Sequence, residues 1–153
     1  MNLSNLMEVR LVETNLSASS CSSCLRIMVD RMASEGLVKD PQEALRRLEE
    51  REKVMSTGIG EGIAVPHARC PEVDRTLIAL GRCPAGIPWN AVDGHPVRII
   101  FLILGRPESS AEHVRVLGSI ARLVKKPGFH ARLDSAGTAE EILAVIQDLE
   151  QAE

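Results

Sequence analysis

Apolar residues in the first third of the chain recur at helical spacing and predict two amphipathic helices. The first runs from about residue 19 to 35, and Gly36 is expected to end it. The second starts in DPQEALRRLEEREKVM, where Asp40 suits the cap, Pro41 the first helical position and Glu43 a capping box. The predicted buried faces are Leu25, Met28, Val29 and Met32 in the first helix, and Ala44, Leu45 and Leu48 in the second.

Strand patterns are concentrated in the middle of the chain. Short apolar runs predict strands over Ile63–Val65 and Thr76–Leu80. The stretch PVRIIFLIL, from Pro96 to Leu104, predicts a longer strand that is buried on both faces. The intervening CPAGIPWNAVDGHP is rich in turn residues, with a strong turn signal at Asp93-Gly94.

Two more helices are predicted after the strands. Ser110 is expected to cap the first, which KPG ends, and Thr138 with Glu141 forms a capping box that opens the second. Their predicted buried faces are Val114, Leu117, Ile120, Ala121 and Val124, and then Ile142, Val145, Ile146 and Leu149. The order helix, helix, strands, helix, helix predicts an α/β sandwich, in which helices flank a mixed β-sheet on both sides.

Composition is that of one folded domain, which we expect to span residues 1–153. Hydrophobic residues make up 44% of the chain and charged residues 25%, and the net charge is −3. Aromatic residues make up only 2%, so the sequence does not favour a nucleic-acid partner. No apolar run is long enough to insert into a membrane, and MNLSNLMEVR lacks the apolar core of a signal peptide. We therefore expect a cytoplasmic protein.

The cysteines allow a redox or zinc interpretation, which the rest of the chain does not favour. Cys21 and Cys24 have C-x-x-C spacing, but a zinc site normally needs a second ligand pair, and Cys70 and Cys83 are too far apart to form one. We expect Cys21 and Cys24 to be small residues in the first turn of a helix, with no metal bound.

The segment STGIGEGIAVPHARC is the strongest candidate for chemistry. Glycines at 58, 60 and 62 match neither a Walker loop nor a dinucleotide fingerprint, but they permit unusual backbone angles and close approach. Pro66 then restricts the backbone beside His67. A rigid neighbour at a strand end is suited to holding a reactive imidazole, although a histidine in a surface turn fits the same pattern.

A second histidine and an arginine extend this candidate site. With Ser110 as the cap, His113 falls at the third helical position, where the helix dipole attracts anions and favours a neutral imidazole. Taken alone, this position is more typical of a partly exposed helix residue. Arg51, ahead of the glycines, could supply positive charge. The two other histidines, His95 and His130, receive no role.

Four classes of protein can be weighed against these residues. The metal-hydrolase motifs H-x-x-E-H and H-E-x-x-H and the serine-hydrolase elbow G-x-S-x-G do not occur. An interaction module would need no special histidine. A histidine nucleophile that accepts phosphate needs one imidazole, with donors and a cation nearby to hold the phosphoryl oxygens.

The stretch REKVMSTGIGEGIAVPHAR resembles the signature around the phosphorylated histidine in EIIA components of the bacterial phosphotransferase system (PTS). The closest group is the fructose/mannitol type, which includes the nitrogen-regulatory EIIA. The resemblance continues through GIPWNAVDGHPVRIIFLIL and EHVRVLGSIARLVKKPGFHARLDSAGTAEEILAVI, and covers roughly residues 37–150.

The resemblance implies roles for particular residues. His67 would accept a phosphoryl group on Nε2 from the carrier HPr and pass it to an EIIB domain, without a metal or organic cofactor. His113 matches the second active-site histidine, and Arg51 matches an arginine near the phosphohistidine. Three neighbouring residues are expected to bind phosphate: Ser56, Thr57 and Gly58.

The role in the cell stays open at this point. These 153 residues contain no EIIB or EIIC segment, so we expect a regulatory PTS branch as readily as sugar uptake. The alternative is a non-transport regulatory module, whose interactions are switched by the phosphorylation state of His67. The sugar, the regulatory target and the oligomeric state cannot be derived from the sequence.

Overall fold

The computed structural model describes residues 2–152, which form six strands, five α-helices and the short 3-10 helix Leu3–Leu6. The strands are β1 (Met7–Glu13), β2 (Gly58–Gly60), β3 (Ile63–Ala64), β4 (His67–Arg69), β5 (Leu77–Ile87) and β6 (Val97–Gly105). The helices are α1 (Cys21–Ser34), α2 (Pro41–Val54), α3 (Ser110–Leu123), α4 (Phe129–Ser135) and α5 (Ala139–Gln151). None of these helices has the length and apolar character needed to cross a bilayer.

All six strands belong to one mixed sheet. Its order is β1-β5-β6-β3-β2, and β4 also pairs with β6. β5 and β6 are antiparallel, whereas β1 is parallel to β5 and both β3 and β4 are parallel to β6. β3 and β4 pair with successive parts of β6: Ile63 lies opposite Ile99, and His67 lies opposite Ile103.

Strand β6 separates two hydrophobic cores, because successive side chains of a strand point to opposite faces of the sheet. Ile100, Leu102 and Leu104 pack in the core that contains the buried residues of α1 and α2. Ile99, Phe101 and Ile103 pack in the core formed with α3, α4 and α5. The structure therefore confirms the predicted α/β sandwich, with helices on both faces of a mixed sheet.

The caps at Asp40 and Thr138 form as predicted, but neither completes the predicted capping box, because in each only the side chain of the cap residue is bonded. The carboxylate of Asp40 accepts a hydrogen bond from the backbone N–H of Glu43 (3.2 Å), and the Thr138 hydroxyl accepts one from Glu141 (3.1 Å). The Glu141 carboxylate accepts from the N–H of Gly137 (2.7 Å), one residue before the capping threonine. Gly36 has φ +75° just beyond α1, which is the stop that was predicted.

The sheet begins earlier in the chain than the sequence pattern predicts. β1 precedes both N-terminal helices, so the order with all strands in the middle is wrong. The pairing of β1 with β5 is irregular between Met7 and Val12, and Leu11 and Val12 are both buried. This irregularity breaks the alternation by which an edge strand is recognised. β5 also continues to Ile87, through residues that the sequence assigned to turns.

The C-terminal helices contain two further differences. The helix α4 was not predicted, because its seven residues are too few for a periodic signal, with only Phe129 and Leu133 buried. In α3 the cap position is Ser109 instead of Ser110. The buried face of α3 is also displaced from the predicted one and consists of His113, Val116, Ser119, Ile120 and Leu123. Val114 is 63% exposed, and Ala121 is exposed as well.

Candidate functional site

The alternating glycines build a tight hairpin between β2 and β3. Its two turn residues, Glu61 and Gly62, both have positive φ (57° and 78°), as a two-residue turn of this kind requires. The Asp93 carboxylate accepts a hydrogen bond from the Glu61 N–H (2.9 Å). Gly60 and Gly62 therefore serve the turn that starts β3, whereas Gly58 leaves room for Ala91, whose Cβ would lie 2.8 Å from an added Cβ. The chain continues from β3 through Val65 to Pro66.

Pro66 separates β3 from β4 without interrupting the line of pairing along β6. A proline has no N–H to donate, but the Pro66 carbonyl accepts from the N–H of Ile103 (2.9 Å). His67 follows as the first residue of β4, opposite Ile103. The backbone of the histidine is thus held by the central strand of the sheet.

The side chain of His67 is held by a hydrogen bond from its own backbone neighbourhood. Nδ1 lies 2.8 Å from the Val65 carbonyl oxygen. A carbonyl can only accept, so Nδ1 carries the proton and Nε2 has a free lone pair in the neutral ring. Burial lowers the pKa of His67; the bond to Val65 raises this pKa, and the charge of Arg51 lowers it again. The result is a neutral imidazole with Nε2 as its nucleophilic nitrogen.

His113 lies in the first turn of α3, and its ring centroid is 5.4 Å from that of His67. The residue is only 4% exposed, and its Nδ1 has no hydrogen-bond partner among residues 2–152. The ring packs over Gly105, where an added Cβ would lie 2.8 Å from Nδ1. Burial lowers the pKa of His113, and the neighbouring His67 and Arg69 lower it further. His113 is therefore a buried, neutral histidine.

The two predicted histidines and the predicted arginine lie around one open cavity of about 550 Å³. His67, His113 and Arg51 all line it, together with Arg47 and Arg69. The predicted catalytic residues, although distant in sequence, are thus neighbours in space. Cationic side chains around a neutral imidazole form an environment suited to an anionic group such as phosphate.

The three residues predicted to bind phosphate do not line this cavity. The N–H of Thr57 donates to the Glu52 carboxylate (3.0 Å), and its hydroxyl donates to the same carboxylate. The Ser56 hydroxyl donates to the Trp89 carbonyl (2.7 Å), and the Gly58 N–H donates to Ser56 Oγ (3.1 Å). In this structure their donors are used to connect the end of α2 to the sheet.

Thr57 nevertheless acts on the site through the backbone. Its carbonyl oxygen accepts from the N–H of Val65 (3.0 Å), the residue whose own carbonyl holds the His67 ring. Glu52 anchors Thr57 in turn, and sequence reasoning missed it. Two features of the sequence could have indicated Glu52. It lies in the last turn of an amphipathic helix, and it is next to Arg51.

Cys21 and Cys24 lie in the first turn of α1, as predicted. All four cysteines are free, and burial raises the pKa of the Cys21 and Cys24 thiols to about 12. A reactive or metal-binding thiol needs an accessible thiolate, which such a pKa disfavours at neutral pH. This environment agrees with a structural role for the pair.

The fold is that of PTS IIA domains. The solved nitrogen regulatory protein IIA-Ntr from Neisseria meningitidis matches this chain with a TM-score of 0.87 and 25% sequence identity, over 94% of this chain and 98% of that one. The crystal structure of IIA mannitol from Escherichia coli has a TM-score of 0.78 at 22% identity, over 92% and 98%.

Sequence comparison gives the family. The family described as phosphoenolpyruvate-dependent sugar phosphotransferase system, EIIA 2, matches residues 5–149, and the chain belongs to this family. A nitrogen regulatory protein of Pseudomonas aeruginosa is 31% identical over 139 residues, 91% of this chain and 90% of the relative. The chain is 27% identical to the fructose-specific EIIABC component of Bacillus subtilis over 146 residues, but spans only 23% of that longer protein and 95% of itself.

Proposed function

We propose that this protein is a phosphocarrier that accepts a phosphoryl group from a phosphorylated HPr-type protein on Nε2 of His67. It then passes the group to an EIIB partner, in PTS sugar uptake or in a regulatory PTS branch. The observation that carries the proposal is the hydrogen bond from His67 Nδ1 to the Val65 carbonyl. This bond leaves Nε2 as the free nitrogen of a histidine that lines an arginine-rich cavity.

Transfer proceeds by displacement in line with the bond that breaks. Nε2 of His67 forms a bond to phosphorus as the bond between phosphorus and the donor nitrogen breaks, and that nitrogen keeps the electron pair. The proton on Nδ1 stays on the ring, where the Val65 carbonyl stabilises the positive charge that the ring gains. Arg51 and His113 stabilise the charge on the phosphoryl oxygens in the transition state. The step uses no metal or organic cofactor.

An EIIB protein is the partner that the comparisons support. The IIA-mannitol enzyme of Escherichia coli, which shares the fold at 20% identity and a TM-score of 0.78, has a solved complex with phosphorylated enzyme IIB. Curated relatives include fructose-specific EIIA components, such as one from Haloferax volcanii that is 26% identical over 148 residues. The proposal assigns the protein to the cytoplasm, where phosphoenolpyruvate is made.

A regulatory role without onward transport is the second candidate. It is favoured by the 31% identity to a Pseudomonas aeruginosa protein named for nitrogen regulation, of which the chain covers nine-tenths. In this case the phosphoryl group on His67 changes which proteins bind. The site chemistry is the same for both candidates, and only the fate of the phosphate differs.

Phosphorylation with phosphoenolpyruvate, enzyme I and HPr tests the shared step. Wild-type protein is expected to gain an acid-labile, base-stable phosphate that maps to His67, whereas His67→Ala gains none. His95→Ala is a matched control, because His95 is exposed and lies outside the cavity, and it should be labelled like wild type. Equal labelling of His67→Ala would overturn the assignment.

The fate of the phosphate separates the two candidates. Phosphorylated protein is mixed with purified EIIB domains, and the label on each protein is followed over time. Rapid movement of label from His67 to an EIIB domain supports the carrier. Label that persists on His67 in the presence of every EIIB domain of the cell supports the regulatory module.

A further inference from the structure

We propose that Arg69 is a second guanidinium that binds the phosphoryl group, so that the group on His67 is held by Arg69 as well as by Arg51. This inference rests on the proposed function, because it assumes that His67 carries phosphate. Nothing in the sequence signature around the histidine assigned a role to Arg69.

The strand geometry places Arg69 beside the nucleophile. His67 and Arg69 are two residues apart in β4, so their side chains project from the same face of the strand. Both residues line the cavity. The proximity of the two side chains is therefore fixed by a strand that is paired with β6.

The register of the sheet also brings Arg69 close to His113. Arg69 lies opposite Gly105 in the pairing of β4 with β6. The His113 ring packs on Gly105, which has no side chain to separate the ring from Arg69. Consistent with this arrangement, the charge of Arg69 contributes to lowering the pKa of His113. Arg69 thus adjoins both histidines.

Arg69 is also the cavity arginine whose guanidinium is available. Among residues 2–152 its guanidinium forms no hydrogen bond or ion pair. Its backbone pairs with β6, and its carbonyl also accepts from Arg47 (3.3 Å). Arg47 itself is paired with Glu43 (2.9 Å). Arg51 donates one N–H to the Met55 carbonyl (2.8 Å), which leaves it partly committed.

The acidic residue of the cavity does not neutralise Arg69. Glu50 lines the cavity, but its carboxylate is paired with Arg46 on the same helix. A free, exposed guanidinium opposite two neutral imidazoles has no anion to bind within the described chain. A phosphoryl group on Nε2 supplies that anion, with oxygens that match the fork of donors on an arginine.

Chemical phosphorylation tests Arg69 without any partner protein. In this reaction Nε2 attacks the phosphorus of phosphoramidate, the phosphorus–nitrogen bond breaks, and ammonia leaves with the electron pair. Wild type, Arg69→Gln, Arg69→Lys and Arg26→Gln are compared by the rate of labelling and by the rate at which the phosphohistidine hydrolyses. Arg26 is exposed on α1 and outside the cavity, so Arg26→Gln controls for the loss of one positive charge.

Arg69→Gln is expected to slow labelling about tenfold, since a charge-assisted hydrogen bond is lost at an exposed position. Arg69→Lys should recover part of that loss, and Arg26→Gln should match wild type. In ³¹P NMR, the pH midpoint of the phosphoryl resonance should rise in Arg69→Gln, because a nearby cation favours the dianion.

The outcomes separate this inference from the proposed function. Labelling of Arg69→Gln at the rate of Arg26→Gln, with an unchanged ³¹P midpoint, overturns the role of Arg69 while His67 remains the acceptor. Wild-type protein that takes no phosphate on His67, from either phosphoramidate or phospho-HPr, overturns the proposed function and this inference with it.

Discussion

Replacing His113 by leucine should stabilise the fold and impair the proposed reaction at the same time. The imidazole is 4% exposed, and its buried Nδ1 has no partner among residues 2–152. A buried polar atom without a hydrogen bond costs roughly 1–3 kcal/mol of stability. An apolar side chain of similar size does not incur this cost.

The expected change in stability follows from that single unpaired atom, and the expected change in rate follows from the proposed role of the ring in binding the phosphoryl oxygens. We expect His113→Leu to raise the free energy of unfolding by about 1 kcal/mol, the lower end of the range, because leucine methyls must fit over Gly105. For a chain of this size the gain corresponds to an increase in Tm of roughly 2–4 °C. The rate of phosphoryl transfer should fall on the order of a hundredfold, as when one donor to a developing anion is removed.

Two measurements on the same protein test both effects. Urea unfolding gives the free energy of unfolding, and rapid-quench transfer from phospho-HPr gives the rate, with the label mapped afterwards. His95→Leu makes the same chemical change at an exposed residue and should move neither value. His113→Met, with a more flexible side chain, serves if leucine crowds Gly105.

If both His113→Leu and His113→Met are less stable than wild type, the imidazole contributes favourably to the core and does not destabilise it. If both variants accept phosphate at the wild-type rate, His113 has no part in the transfer. Phosphate that maps to His113 in the wild type would reverse the roles of the two histidines.

Three further predictions concern the cysteines, a structural arginine and pH. Cys21→Ser and Cys24→Ala should be labelled like wild type, and a large loss in a folded variant would revive a redox role. Arg82→Met should lower the free energy of unfolding by about 2 kcal/mol in urea, because the guanidinium donates to three backbone carbonyls, among them that of Leu133 at 2.7 Å; an unchanged value would contradict this. Burial lowers the pKa of both His67 and His113 in the folded chain. As the pH falls below the ordinary imidazole pKa of about 6.5, the unfolded chain therefore binds more protons than the folded chain does. Urea unfolding should therefore give full stability above that pH and a progressive loss as the pH falls below it, with a weaker loss in His113→Leu; equal slopes would refute the assignment.

The sequence predicted those parts of the fold that depend on local patterns. The continuous apolar run of β6 and the caps at Asp40 and Thr138 are local signals, and the structure contains them. β1 is held by irregular pairing with a strand far away in sequence, and α4 depends on two buried residues in a tertiary core. Such long-range interactions produce no periodic pattern of apolar residues in the sequence, so neither element could be predicted from it.

In the candidate site, too, residues with a local sequence signal could be predicted, and residues whose role depends on tertiary contacts could not. His67 could be found because its proline neighbour and glycine turn adjoin it in sequence. The apolar residues of α3 permit two helical faces, displaced by about one residue, and tertiary packing selected the face with His113 and left Val114 exposed. Arg69 escaped notice because its significance lies in the register with Gly105, which only the paired strands define.

The environment of His67 contains two opposing influences that a phosphate acceptor needs at different moments. Before transfer, burial and the charge of Arg51 lower the pKa of His67 and keep the ring neutral, so that the Nε2 lone pair is available. In the proposed transfer the ring would gain positive charge, and the Val65 carbonyl, already bonded to Nδ1, would stabilise this charge without rearrangement. The same arginine that disfavours a charged free imidazole would attract the phosphoryl oxygens that arrive with the new bond. His113 also has a cation nearby, Arg69, but its Nδ1 has no carbonyl partner among residues 2–152 that could stabilise a positive ring. We therefore attribute the acceptor role to His67 and not to His113.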